Sequence, residues 1–388
     1  MLDFIGEGLF LRGIGGRRRG GFNPASLFAG ASGLWLDRAG TGARFADAIG
    51  TTAATIGGGI GLRLDKSKGL VLGPEKVANG NFPDGSLAGW TAALGEQSAS
   101  LGGIRVTGPG TSGARSVTTL TGMIPGMSSR LSLNIIENLA SQAGWRVTTS
   151  PDGGPDGAVL GVISQAGTGE RAPVFVASAA TMYLAVLYTA TAGKDSVVFD
   201  NISVRELPGN HGTQSTGTFA PKLRNSGAFL YDEYDGSDDR LQTSLLPTTA
   251  GTIAGYIRGT TASRVVAGSA AATDGRAFLA LDASGRLGAG IGAQSTTTIF
   301  GGADIRNQWH ACAVTWDGTT VRLYLDGEEI YSGAQSGAVN TTVPFRVGAL
   351  NSNGTAGAFW GGDVADLIVL DEALPAATIL KMSQKWSA

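Results

Sequence analysis

The chain has 388 residues, among them 62 Gly, 13 Pro and one Cys, with 29 Lys plus Arg against 31 Asp plus Glu and a formal net charge of −2. This near-neutral balance provides no field to gather a polyanion, which argues against sequence-independent nucleic-acid binding. One Cys and two His leave no intrachain disulfide framework or His/Cys metal spacing, and Gly in no strict triplet register excludes collagen. With 42% hydrophobic and 15% charged residues, the composition predicts an all-β chain of short strands and tight turns.

The first 70 residues open with acids at Asp3 and Glu7 and an apolar lead broken by Gly6, Gly8 and Gly13. That order does not suit a secretory signal, and no stretch reaches the roughly 18 apolar residues of a membrane span. Assembly in a cytoplasm, without membrane insertion, is expected. The run Arg17-Arg18-Arg19 reads as a solvated, partner-docking segment. Strand-like pieces follow at Leu34-Trp35-Leu36-Asp37 and Gly61-Leu62-Arg63-Leu64-Asp65. Gly57-Gly58-Gly59-Ile60-Gly61 lacks the Lys-Ser/Thr of a phosphate loop and reads as a turn. So few apolar residues cannot form a core alone. Residues 1–70 are therefore expected to be an extended docking arm that completes its fold on another subunit or protein, with a strand pair packed on the same chain as the alternative.

Residues 71–207 alternate along 103–107, 130–136, 144–149, 159–163, 172–176 and 181–188, separated by Gly, Pro and Asp turns. This spacing predicts a β-sandwich. The region begins Asn79-Gly80-Asn81-Phe82-Pro83-Asp84-Gly85, then Gly89-Trp90-Thr91, and ends Phe199-Asp200-Asn201-Ile202-Ser203-Val204. These bracketing motifs resemble the jelly-roll carbohydrate-binding modules appended to polysaccharide-degrading enzymes and surface proteins. The resemblance implies a structural calcium ion near Asn81, Asp84 and Asp200, although Pro83 displaces the acid by one position from Phe82. No other cofactor is implied.

Residues 208–388 carry the run from Gln308 to Ile330, three predicted strands joined by Asp317-Gly318 and Asp326-Gly327 turns. With Tyr234-Asp235-Gly236-Ser237-Asp238-Asp239 before it and Gly362-Asp363-Val364-Ala365-Asp366-Leu367 after it, this resembles the laminin-G-like, concanavalin-A-type sandwich. The fold expected for the whole chain is thus all-β, with two tandem β-sandwich (jelly-roll) domains after the docking arm.

Glycoside hydrolases on this sandwich set two carboxylates about 5 Å apart. Glu328 and Glu329 are adjacent and would face opposite ways on a strand. Asp235, Asp238 and Asp239 read as a turn that caps backbone N–H groups, His310 as a packing residue, and Cys312 as a small buried hydrophobe. No nucleophile, base and oxyanion site assemble, so the chain is not expected to be an enzyme. Sugar recognition uses flat aromatic faces and amides. The candidates are Trp145, Tyr183, Tyr256, Asn351, Asn353 and Trp360, with Trp90 and Trp309 assigned to cores.

Residues 33–67, with Gly33-Leu34-Trp35-Leu36-Asp37 and Gly61-Leu62-Arg63-Leu64-Asp65-Lys66-Ser67, resemble a leader of bacteriophage and prophage structural proteins. The resemblance implies a virion protein of tail-fibre, head-fibre or tail-tip type. It would be a homo-oligomer docked to other virion proteins through residues 1–70 and bind host surface carbohydrate during adsorption. The alternatives are a capsid or tail decoration protein that binds no glycan and, third, a glycan-degrading enzyme.

Overall fold

The computed structural model describes residues 22–388 apart from 109–112, 141, 189–195, 263, 272–274 and 294–297. The Arg17–Arg19 run and the acidic lead lie outside the described residues. The chain forms two β-sandwiches, each of two facing sheets, antiparallel but for the pairing of Arg264–Ala270 with Leu350–Ser352, with one continuous apolar core between them.

The first sandwich spans residues 90–206. One sheet is ordered Leu160–Gln165, Ala143–Thr148, Thr181–Tyr188, Ala114–Thr121, Trp90–Leu94. The other is ordered Gly169–Arg171, Ser128–Asn138, Ser196–Glu206, Gly103–Thr107, Glu96–Ser100, with Val174–Val176 also paired to Ser128–Asn138. Alternation decides which side chains enter the core: along Ser128–Asn138, Leu131, Leu133 and Ile135 are buried while Arg130, Ser132 and Asn134 face out. The opening and closing motifs meet directly. The Ile202 N–H donates to the Gly80 carbonyl at 2.9 Å, and a Cβ at Gly80 would lie 1.8 Å from the Ile202 oxygen, so only glycine fits.

The second sandwich contradicts the expectation of a separate arm. Gly33–Leu36 pairs antiparallel with Leu367 to Leu370 of the strand Gly361–Leu370. The first half of that same strand, Gly361 to Val364, pairs with Leu230–Asp235. Arg44–Phe45 and Leu62–Arg63 extend the opposite sheet through Gly212–Thr213. The physical reason is an edge: without Gly33–Leu36, half of a fully buried strand would present unpaired N–H and C=O groups. Residues 22–68 are therefore part of the C-terminal sandwich, and the first sandwich is inserted between the two pieces of its sequence.

A clasp closes the insertion. Gly73 N–H donates to Glu206 O at 2.9 Å, and an isolated bridge joins Glu75 to Arg205. The buried His211 accepts from the Asp65 N–H through Nδ1 at 2.9 Å and donates through Nε2 to Leu207 O at 3.1 Å. Burial pushes its pKa down, which favours the neutral ring that this pattern requires.

Inside the second sandwich a buried ion triad joins the two sheets. Asp232 bonds Arg44 Nε at 2.7 Å and Arg63 Nε at 3.0 Å, and all three side chains are at most 2% exposed. Burial alone would raise the Asp232 pKa, but Arg44 and Arg63 reverse that and hold it below the usual carboxylate value. Both guanidinium groups also donate to the Asp37 carbonyl. The remaining space is filled by Trp316, Trp360, Leu323, Val314 and their neighbours, and Cys312 is a buried thiol whose pKa burial drives well up. The helix Ala376–Trp386 packs Ile379, Met382 and Trp386 on the outer face of the eight-stranded sheet.

Two outcomes follow. Asp232→Ala leaves two guanidinium groups buried without a counter-ion and should lower the unfolding free energy by about 3–5 kcal/mol, read by urea denaturation. Excising residues 74–206 and joining Gly73 to Leu207 by a short Gly/Ser linker should leave a remainder that unfolds cooperatively, whereas deleting residues 22–68 from that remainder as well should abolish its cooperative unfolding.

Candidate functional site

The helix and residues near Phe28 cover part of the outer face of the eight-stranded sheet. Elsewhere on that face lie Tyr231, Tyr256 and Trp309, with Phe229 beside them, all half-buried. Along Gly251–Gly259, Ile253 and Ile257 point into the core and Tyr256 and Arg258 point out. Opposite them the register shifts between Tyr256 and Ile257, so Ala365 of the neighbouring strand is an extra residue. This bulge turns both Asp363 and Asp366 to the outer face while Val364 and Leu367 stay in the core.

Each acid then receives an arginine. Arg258 Nε lies 2.6 Å from Asp363 Oδ2, and Arg38 Nε lies 3.3 Å from Asp366 Oδ2. The guanidinium groups bracket the rings: Arg258 sits 5.3 Å from the Trp309 centroid and Arg38 sits 5.4 Å from that of Tyr256. Trp309 and Tyr256 stack on each other at 5.2 Å and 21°. Phe229 meets Trp309 edge-on at 5.2 Å and Tyr231 does so at 5.4 Å. Each aromatic pair contributes about 0.5–1.5 kcal/mol beyond its buried area, and each cation–π contact about 0.5–1 kcal/mol. The result is a rigid aromatic surface with a charged rim. Beside it a groove of about 390 Å³ runs between Arg38, Asn225 and Phe229.

The first sandwich offers a different surface. Arg130, Ser132, Asn134, Glu170, Asn201 and Ser203 line a groove of about 310 Å³ on the outer face of its six-stranded sheet. A rim cleft of about 390 Å³ adjoins it at Ser203 and includes Asn81. No aromatic ring lines either, so these surfaces are suited to hydrogen bonding rather than stacking.

Of the residues singled out from sequence, Tyr256 lies in the aromatic surface. Trp309, assigned to a core, lies there too, and Tyr231, Phe229 and Arg258 were not anticipated. Trp145 and Trp360 are corrected: both are completely buried, Trp145 in the first core and Trp360 in the second, and offer no face to a ligand. Asn351 is corrected as well, since it is 3% exposed and bonds Pro344 O and Gly354 N within a turn. Asn353 is exposed at the tip of that turn, with φ of 48°. Tyr183 is half-buried against Val117, Ala185 and Leu187. Trp90 is core, 5.7 Å from the Phe82 ring. Asn81 and Asp84 are exposed on the opening turn, and Asp200 is half-buried.

Among the described residues, one group of three acidic, His or Cys side chains brings its ligand atoms within 4.8 Å: Asp235, Asp238 and Asp239. Its bonds are those of a turn. Asp235 Oδ1 accepts from Ser237 and Asp238 N–H groups, and Asp239 Oδ2 accepts from Asp235 N–H. Burial, with the charges of Asp235 and Asp238, pushes the Asp239 pKa up to about 7. Glu328 and Glu329 are exposed. His310 Nδ1 lies 2.7 Å from Asp326 Oδ2 at the hairpin edge, and Cys312, two residues further along the same strand, is buried in the core.

Residues 235–380 match the laminin-G-type family described as the concanavalin A-like lectin/glucanases superfamily. No curated protein matches the chain. Among solved structures, the CBM40 of the Ruminococcus gnavus IT-sialidase bound to α2,3-sialyllactose is similar at 18% identity, over 36% of this chain and 84% of that one, with a TM-score of 0.31. Domain 4 of AbnA, a Geobacillus stearothermophilus arabinanase in complex with arabinotriose, is similar at 14% identity over 42% and 82%, with a TM-score of 0.35. A heptameric SAP-like pentraxin from Limulus polyphemus is similar at 16% identity over 39% and 80%, with a TM-score of 0.33.

The Asp239 carboxyl has a folded pKa above its unfolded value, so its ionisation costs stability as pH rises through the window between them. Asp239→Asn, which keeps an oxygen for the Asp235 N–H, should raise the melting temperature near about pH 8, and the gain should vanish below about pH 4.

Proposed function

We propose that this chain is a carbohydrate-binding protein that holds glycans on the aromatic surface of its C-terminal sandwich and does not cleave them. The observation that carries this reading is the set Tyr231, Tyr256, Trp309 and Phe229, half-exposed together and fixed by Arg258 and Arg38. Flat rings meet the C–H faces of a pyranose, while the tyrosine hydroxyls and the Arg258 guanidinium, held by the buried Asp363, meet its hydroxyls at the rim. The match of residues 235–380 to a lectin and glucanase superfamily supports the same class. The polar groove of the first sandwich would add hydrogen-bonded contacts to the same chain, and linked weak sites gain avidity.

The setting we infer is a phage or prophage virion, where repeated copies would present these surfaces to a host envelope. Its support is the likeness of residues 33–67 to the leaders of such proteins. Because residues 22–68 complete the C-terminal sandwich, docking to a particle would use surfaces other than those buried strands.

Trp309→Ala should weaken binding to an immobilised bacterial surface polysaccharide at least about tenfold, equivalent to about 1.4 kcal/mol, with cooperative unfolding retained. Unchanged binding removes the aromatic surface from the reading. Release of reducing ends by the wild-type chain would replace binding with hydrolysis.

A further inference from the structure

A second cleft, of about 470 Å³, lies on the other side of Arg38, between residues 22–24, the stretch Trp35 to Ala39, and the end of the C-terminal helix at Lys385 and Trp386. Its size is that of a small-molecule site. Three of its lining residues carry polar atoms that are closed to bulk water and lack a hydrogen-bond partner: Trp35 Nε1, Asp37 Oδ1 and Asp366 Oδ2. Such atoms are rare because each carries an uncompensated desolvation cost. Here the residues that carry three of them line one cleft. Asp366 is 4% exposed and Asp37 8%. Asp366 Oδ1 accepts from the Arg38 N–H and its Oδ2 is ion-paired with Arg38 Nε at 3.3 Å without a hydrogen bond, while Asp37 Oδ2 is held by Lys66, so both carboxylates are held in place and one oxygen of each has hydrogen-bonding capacity left.

The chemistry of an occupant follows from these groups. Two carboxylates repel an anion, and Arg38, Lys66 and Lys385 around them repel a cation. A neutral group that both donates and accepts fits all three atoms. The hydroxyl is such a group, and the Trp35 and Trp386 indoles supply apolar surface for the carbon skeleton that bears it.

We propose that this cleft is a saccharide site separate from the aromatic surface, in which Asp37 and Asp366 receive two neighbouring hydroxyls of one sugar and the Trp35 N–H donates to a third oxygen. The walls part slightly to admit it, since the three atoms are shielded in the free chain. The inference rests on the reading of the chain as a carbohydrate binder, and Arg38 links the two sites as their shared wall.

Acidity should govern this site. Burial, reinforced by the Asp37 charge and opposed by Arg38 and Arg63, pushes the Asp366 pKa up to about 6. Sugar hydroxyls donate to the ionised carboxylate, so binding should strengthen as pH rises through that value. The raised value also means that the ionised acid costs folding stability in the same window, so Asp366→Asn should fold at least as well as the wild type near neutrality.

The test is saturation-transfer NMR on the full chain with D-glucose, D-galactose, D-mannose and N-acetyl-D-glucosamine, for the wild type, Asp366→Asn and Asp37→Asn, with thermal unfolding as the control for folding. The expected result is binding of at least one of these sugars that falls about tenfold between about pH 7.5 and about pH 5, and at least about tenfold in either variant, with cooperative unfolding kept. Monosaccharide binding that neither substitution changes overturns the assignment, as does the absence of monosaccharide binding. Either failure leaves the aromatic surface standing, because polysaccharide binding by wild type and Trp309→Ala is measured separately.

Discussion

The Arg44–Asp232–Arg63 triad is the constraint on which the rest of the architecture depends. Arg44 and Arg63 come from the first 70 residues and from one sheet, while Asp232 comes from the C-terminal segment and the other sheet. Neither arginine can be buried without a counter-ion, and the charges and hydrogen bonds of both arginines hold the acid ionised against its burial. The triad therefore fixes how the two pieces of a divided sequence meet, in a way that apolar packing alone would leave less specific. Its reach extends to Asp37, whose carbonyl accepts from both guanidinium groups, and so to the stretch that carries Arg38 into the aromatic surface.

The all-β class and the two sandwiches were legible because their signals are local. Alternation located strands such as Gly103–Thr107 and Thr181–Tyr188 at their observed bounds, and the Asp326-Gly327 turn has the positive φ at both residues that its sequence suggests. At Asp317-Gly318 only the glycine is in that region. The fate of residues 22–68 was not legible. Short strands such as Leu62–Arg63 carry no mark of their partner, and an arginine destined for a buried triad reads as a surface residue until the acid is found 169 positions away.

The candidate site shows the same division. Tyr256 could be named from its type, but its neighbours Phe229, Tyr231 and Trp309 come from separate strands and loops, and only pairing across the sheet assembles them. Trp309 was assigned inward because it lies inside the motif that carries the family resemblance. The two large residues expected on the surface, Trp145 and Trp360, are among the most deeply buried in the chain. Ring size alone carries no information about which face of a strand it occupies. The Ala365 bulge, which turns Asp363 and Asp366 outward together, has no residue-type signature either.

The pairing of Gly33–Leu36 with Gly361–Leu370 also has a consequence in time. Ser32 bonds the side chain of Asp371, 339 residues later, so on a ribosome the start of the sandwich must wait for its end, on the order of tens of seconds at ordinary elongation rates. During that interval the inserted sandwich has all its strands and can finish folding, while Arg44 and Arg63 remain solvated. Synthesis of this chain would thus produce the inner module first and the enclosing one last, and a nascent chain stalled before residue 361 would expose the edge and face that its final strand normally covers.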